Sequence, residues 1–466
     1  MSRQLHICFF PLMLQGHIIP SINMAKLFAF RGMKTTIITT PSSAELHSKT
    51  INDSKNKGLD IGILVIKFPR VVMGMPEGCE SPDMATTPEM VEEFYRATAM
   101  LGKPLENLFR DHKPPCLVAD GIPRIVFHGI GFFALCASSS VLDYQPHENV
   151  ELDSEPFVVP NIPDEVRLMR KQLPPYVRRN AATEFARAYK AGKASELECF
   201  GVVVNSFYEL EPDYADHYRR VLGRKAWHIG PISLLIDKVE GKGKGRMSKD
   251  SGNEHECLKW LDLKKPNSVV YVCFGSMASF GDAQLMEIAM GLEASGQQFI
   301  WVVKKEKKQG VREEWLPEGF EERIKGKGLI IRGWAPQVLI LEHEAVGGFM
   351  THCGWNSTLE AVCTGVPMVT WLMFAEQFYN EKLVTQILRI GVQVGAQKWE
   401  RQVGDFVKRE AVEKTVCQIM EGDEVDGMRG RARELAEMAS RAVEEGGSSY
   451  LDLDGFIEEM RLMHSA

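Results

Sequence analysis

Residues 334–377 read WAPQVLILEHEAVGGFMTHCGWNSTLEAVCTGVPMVTWLMFAEQ. The order of apolar runs and small polar turns in this stretch decides the fold. Residues 346–350 form a strand-like run that ends at Thr351, His352, Cys353 and Gly354. A helix is expected to begin around Asn356, Ser357 and Thr358. A second apolar strand, 366–372, runs out at Phe374, Ala375, Glu376 and Gln377. Strand, glycine turn and helix start leave backbone N–H groups and the positive helix end facing an anion. His352, Asn356 and Ser357 add side-chain donors. In open α/β sheets ligands sit beyond the carboxyl ends of the strands, where these residues cluster. Trp334, Gln337, Glu360 and Gln377 can converge on the same cleft. The competing reading is an ordinary βα turn with a polar cap.

Over all 44 residues this segment resembles the signature box of plant UDP-dependent glycosyltransferases, which have the GT-B fold. The resemblance implies roles. Trp334 would stack on uracil and the Ala335 backbone would hydrogen-bond it. Gln337 and Glu360 would hold the ribose. His352, Asn356 and Ser357 would bind the diphosphate, with Gly354 in the same donor turn. Trp355, Glu376 and Gln377 would contact the sugar. Gln377 resembles glucose users, where galactose users tend to have His. Glu376 stands where the family more often has Asp. Each role suits its chemistry: an indole face for a flat base, a carboxylate for paired hydroxyls, uncharged donors for phosphates.

Composition narrows the alternatives. The chain has 466 residues, 44% hydrophobic and 25% charged, which fits a soluble globular protein of two or three domains. A net charge of −7 argues against a nucleic-acid partner. The ten cysteines show no CxxC spacing, and several (Cys8, Cys116, Cys136, Cys273) sit in apolar runs, as buried free thiols do. That fits a reducing compartment. The N-terminus lacks a secretory pattern, and no apolar stretch is long enough to span a bilayer. A cytoplasmic monomer without an integral membrane segment is expected.

The first half opens as a βαβ unit, which implies a parallel sheet. A strand at 6–10 is followed by the loop PLMLQGHIIP, a helix with Pro20 in its first turn, and a strand at 35–40. The loop lacks GxGxxG, so it carries no dinucleotide signature. His17 sits at the helix start. A lone His is often structural or merely exposed. Near a positive helix end, however, the imidazolium is disfavoured, and a neutral ring can accept a proton. The resemblance implies that His17 is the base that deprotonates the acceptor. Residues 63–68 read as a strand and 71–89 as a loop, either an acceptor wall or plain surface. Residues 89–109 read as one helix with a possible kink at Pro104.

Residues 116–120 (CLVAD) and 125–128 (IVFH) both read as strands, with only Gly121, Ile122, Pro123 and Arg124 between them. Adjacent parallel strands need a crossover of about a dozen residues. In the resembled family a helix lies here, so an internal deletion, a splice variant or a damaged copy is implied. A tight hairpin would break the parallel order. Asp120 resembles the family Asp that pairs with the catalytic His, fixing its tautomer and stabilising the imidazolium. The plain alternative is a strand-end helix cap, although no helix follows for it to cap. GIGFFA (129–134) matches G-x-G-x-x-A, but no acidic strand end follows at the right distance, so a buried helix start is expected there.

Residues 238–256 (KVEGKGKGRMSKDSGNEHE) read as a solvated linker. A second α/β half follows, with a short helix expected at 257–262. SVVYVCF (268–274) is a buried parallel strand, and Gly275, Ser276 and Met277 follow at its carboxyl end. That turn is either a phosphate cradle or a simple tight turn, and the resemblance favours Ser276 on the diphosphate. Asp452 and Asp454 form a D-x-D, but in an expected helix, so it reads as a solvated face rather than a metal site.

The expected fold is α/β, with two doubly wound Rossmann-like domains facing a cleft: 1–237 for the acceptor, 257–449 for the UDP-sugar, and 450–466 returning to the first. The implied reaction is inverting, metal-independent transfer, with glucose the expected sugar, to a hydroxyl of a small plant metabolite such as a flavonoid or triterpenoid. No resident cofactor is expected; the UDP-sugar is a co-substrate. Two readings compete: a UDP-sugar binder impaired by the missing crossover, and a nicotinamide or flavin oxidoreductase.

Overall fold

The computed structural model describes residues 4–69, 79–84, 87–112, 116–119, 125–178, 183–239, 252–304, 315–400 and 405–465. The first sheet comprises strands β1 (His6–Phe10), β2 (Lys34–Thr39), β3 (Ile61–Val65), β4 (Cys116–Ala119) and β5 (Ile125–His128). After a small antiparallel hairpin, β6 (Pro156–Val158) and β7 (Arg167–Met169), the same sheet continues with β8 (Gly201–Val204) and β9 (Ala226–His228). Its order is β3-β2-β1-β4-β5-β8-β9, parallel throughout. The second sheet comprises β10 (Val269–Cys273), β11 (Gln298–Val303), β12 (Gly328–Arg332), β13 (Val346–Thr351), β14 (Met368–Thr370) and β15 (Gly391–Gln393). Its order is β12-β11-β10-β13-β14-β15, also parallel. Both orders reverse beside the first strand of their sheet, which opens a crevice at the carboxyl ends of β1/β4 and of β10/β13. Burial follows: every residue of β8 and β13 is buried, as expected of parallel strands covered on both faces.

The chain divides into two compact units, one of Met1–Phe132, Pro175–Gly243 and Arg441–Ala466, the other of Phe133–Pro174 and Lys244–Ser440. Each has its own apolar core. The first is built around Phe9, Phe28 and Phe94, the second around Val272, Trp301 and Trp371. Cys8, Cys136 and Cys273 are free thiols, and burial pushes the Cys8 thiol up to about 12. Among the described residues no helix is long and apolar enough to cross a membrane.

Several local expectations change. The first helix, Gln15–Phe30, starts before His17, so Pro20 lies inside it rather than in its first turn. The expected single helix 89–109 is two, Pro88–Ala99 and Gly102–His112; Pro104 falls in the first turn of the second, where its missing N–H costs nothing. The helix expected from 257 begins at Gly252. GIGFFA leads into the helix Phe132–Tyr144, but the Phe132 N–H donates to Glu211 at 2.8 Å. Glu211 is buried and also accepts from Ser206 Oγ at 2.6 Å. The positive end of that helix is thus met by the chain's own carboxylate.

The short link after β4 does not make a hairpin. β4 and β5 are parallel neighbours, paired only at Val118 with Ile125 and Ala119 with Val126. This stagger sets the end of β4 beside the start of β5. β5 then pairs with β8 over all four of its residues. Asp120 itself lies outside the described residues, as do 121–124, most of the loop 71–89 and most of the expected linker.

The D-x-D is not a solvated face. In the last helix, Ser448–Ser465, Asp452 accepts from the His228 N–H at 2.8 Å and from Arg219 Nη2 at 2.7 Å. Asp454 pairs with Arg31, whose guanidinium lies 4.6 Å from the Tyr450 ring. Phe456 packs against Phe28 and Trp227. The two carboxylates pin the C-terminal helix to the first unit.

A second charged cluster closes the carboxyl end of β5. The buried Glu196 carboxylate accepts from Tyr218 Oη at 2.8 Å and Arg224 Nη1 at 2.9 Å, with Lys193 Nζ at 3.2 Å and His128 Nε2 at 3.3 Å. Burial alone would raise its pKa, but these partners hold it far below the usual carboxylate range. A depressed carboxylate contributes stability above its unfolded value of 4.5 and loses it as pH falls below that. Glu196→Gln is expected to cost about 3–5 kcal/mol at neutral pH, because Arg224 and Lys193 lose the buried carboxylate that balances them. It should also flatten the acid limb of the stability curve, as read by urea unfolding between neutral and acid pH.

Candidate active site

The carboxyl ends of the second sheet turn through left-handed residues. Gly275 follows β10 with φ +72°, Gly333 follows β12 with φ +104°, Cys353 follows β13 with φ +59°, and Ala375 lies beyond β14 with φ +56°. For the two glycines this conformation is easy. For Cys353 and Ala375 it costs about 1–3 kcal/mol each, so the surroundings must hold them. The Cys353 carbonyl accepts from Asn380 Nδ2 at 2.8 Å. The Ala375 carbonyl accepts from the indole Nε1 of Trp399 at 3.2 Å. Gln377 turns its amide oxygen inward, to the N–H groups of Met373 at 2.8 Å and Phe374 at 3.1 Å.

His352 lies at the switch point. A Cβ on Gly275 would meet its Cε1 at 2.6 Å, and one on Gly354 its Nε2 at 2.5 Å. The imidazole therefore rests against two residues that must lack side chains. Burial, helped by the charge of Lys304, lowers its pKa to about 4, so the ring is neutral at physiological pH. Its Nδ1 is buried without a partner. Gly354 is also the N-cap of the helix Trp355–Thr364, and having no side chain it cannot take up the N–H groups of the first turn, as Ser or Asp would. The Trp355 N–H lies 3.3 Å from Glu376 Oε1.

Gln337 begins the helix Gln337–Leu341 and draws three expected residues together. Its Nε2 donates to Glu360 Oε2 at 2.6 Å and lies 3.1 Å from Ser357 Oγ. Tyr271 Oη sits 3.5 Å from Gln337 Oε1. Burial pushes the Glu360 carboxyl up to about 7, against the lowering effect of Gln337. Trp334, just past β12, is 68% exposed, in contrast to the fully buried Trp301 and Trp371. An indole left in water at the rim of a crevice is a platform for a flat ring. Ala335 is buried beside it, and Ser276 is exposed in the turn after β10. Asn356 lies in the first turn of the Trp355–Thr364 helix.

The expected residues of the second unit thus share the carboxyl edge of one sheet. His17 does not belong to that group. It is half-buried in the first unit, in the opening turn of the helix Gln15–Phe30, with its N–H on the Leu14 carbonyl at 2.9 Å. Sequence reasoning passed over Tyr271, Asn380 and Trp399.

This crevice geometry goes with an extensive likeness to known proteins. The family described as "UDP-glucoronosyl and UDP-glucosyl transferase" matches residues 192–397. A UDP-glucose flavonoid 3-O-glucosyltransferase 7 from Fragaria ananassa is 55% identical over 479 aligned positions, covering 98% of this chain and 96% of the relative. The chain belongs to the plant UDP-glycosyltransferase family.

Scopoletin glucosyltransferase from Nicotiana tabacum is 54% identical, with 98% of each chain covered. Among solved structures, Glycyrrhiza uralensis UGT73P12, complexed with glycyrrhetinic acid 3-O-monoglucuronide, superposes with a TM-score of 0.89 at 38% identity over 99% of this chain and 96% of that one. This protein is a UDP-glycosyltransferase with the α/β fold of the GT-B class. An alignment of 479 positions exceeds the 466 residues of the transferase, so its relative carries residues that it lacks. The reading as an impaired relative gains no support: β5 keeps its place in the parallel sheet, and relatives matched almost end to end are named as active transferases.

Gly275→Ala tests the packing at the switch point. The added methyl would displace the His352 ring and strain a left-handed backbone. A displacement of about 1 Å at such a site can cost on the order of 100-fold. A loss of that size in UDP affinity is expected, with a melting temperature changed by only a few degrees, as read by calorimetry and thermal unfolding.

Proposed function

We propose that the transferase moves glucose from UDP-glucose to a hydroxyl of a small plant metabolite, with inversion at the anomeric carbon. The observation that carries this reading is the Gln337–Ser357–Glu360 cluster beside the neutral His352 and the helix that starts at Gly354. Glu360 and Gln337 take the ribose hydroxyls, and Trp334 and the Ala335 backbone take uracil. His352, Asn356, Ser357 and Ser276 meet the diphosphate with uncharged donors, at the positive helix end. Trp355, Glu376 and Gln377 face the sugar. His17 takes the acceptor proton, the freed oxygen attacks the anomeric carbon, and UDP leaves from the opposite face. Asp120 is the proposed partner of His17.

The charge that builds on departing UDP is met by these donors, and we propose that no metal shares the task; turnover unchanged by a chelator would support this. The names of the relatives favour a flavonoid, another phenol or a triterpenoid as acceptor. One chain carries all the proposed groups, so a monomer suffices, and its buried free thiols suit the cytoplasm.

Turnover of UDP-glucose with a panel of phenolic and triterpenoid alcohols tests the reading. His17→Ala should lower turnover by about 100- to 10,000-fold, the usual worth of a general base, while UDP affinity persists. Loss of both would give His17 a folding role instead.

Glu360 supplies a pH test. Its folded pKa of about 7 lies above the unfolded 4.5, so the free enzyme loses stability at this site as pH rises between those values. Ribose hydroxyls donate to the ionised form. UDP-glucose has no terminal phosphate that titrates in this range, so its binding at about pH 6 should release a proton and weaken further as pH falls. Calorimetry in two buffers of different ionisation heat reads the proton directly, and Glu360→Gln should abolish its release.

A further inference from the structure

Asn380 lies on the helix Gln377–Lys382 and is fully buried. Both groups within reach of its amide nitrogen are acceptors: the Cys353 carbonyl at 2.8 Å and Glu376 Oε1 at 3.3 Å. That settles which end of the amide carries the hydrogens. The other end, Oδ1, is buried without a partner. An apolar side chain of similar volume would spare the unused Oδ1 but would leave the Cys353 carbonyl and Glu376 without this donor. The importance of Asn380 lies in what its two donors hold. One fixes the carbonyl of Cys353, the left-handed residue between His352 and Gly354. The other reaches the same Glu376 oxygen that faces the Trp355 N–H. A single amide ties the turn assigned to the diphosphate to the carboxylate assigned to the sugar.

We propose that Asn380 is a positioning residue: without touching the donor, it sets the spacing between the 352–355 turn and Glu376, and thereby how tightly and selectively the sugar is held. The inference rests on the donor-site reading above. It separates two ligands that differ only in the sugar. UDP engages the turn alone, whereas UDP-glucose requires the turn and Glu376 in register. The Glu376 side chain is longer than an aspartate's would be, so its carboxylate gains more freedom when the anchor is removed.

Calorimetric titration of UDP and of UDP-glucose into the wild type, Asn380→Leu and Asn380→Ser tests this, together with donor kinetics for UDP-glucose and UDP-galactose. UDP affinity should stay within about 3-fold of wild type while UDP-glucose weakens about 10-fold or more, and the preference between the two sugars should narrow. Equal weakening of both ligands overturns the proposal and makes Asn380 a packing residue, and so does no change in either. If a variant fails to fold, the measurement moves to a Cys353→Gly background. There glycine adopts the left-handed turn without strain, while the contact to Glu376 stays broken. A wild type that binds neither UDP nor UDP-glucose would instead refute the donor-site reading itself.

Discussion

The imidazole of His352 occupies space that a Cβ on either Gly275 or Gly354 would need. Much of the site follows from that contact. It joins the carboxyl ends of β10 and β13, the two strands at which the second sheet reverses its order. It requires glycine at Gly354, which then starts a helix without a side-chain cap. It also buries the ring so that the neutral form prevails at physiological pH.

The same economy of charge recurs nearby. Glu360 and Glu381 are both raised by burial to about 7. Glu381 accepts from Thr370 Oγ1 at 2.7 Å, at the end of β14. Near neutral pH these acids are partly protonated and His352 is neutral, so groups that could each carry a buried charge avoid its full cost.

How much of this was legible from the sequence depended on range. Buried parallel strands announce themselves as unbroken apolar runs, and 268–274 and 346–350 were found on that basis. The polar residues of the 334–377 segment lie close together along the chain because successive βα turns of one sheet share an edge, so resemblance carried them as a set. Boundaries were less legible. Pro20 suggested a first turn but lies within a helix, since tertiary packing can offset one missing hydrogen bond. Asp452 and Asp454 looked solvated because their partners, Arg219, His228 and Arg31, lie more than 200 residues away. Asn380 carried no obvious role because its function is a distance between two turns, which no local pattern encodes.

The short link between β4 and β5 shows why counting residues between strands can mislead. The expectation of a missing crossover rested on the length that adjacent parallel strands ordinarily need. β5 is placed mainly from its other side. It pairs with β8 at four residue positions but with β4 at only two. Its last residue, His128, sits against Glu196, which Tyr218, Arg224 and Lys193 also hold. With its register fixed by later parts of the chain, β5 keeps its place in the parallel sheet although it meets β4 at only two positions.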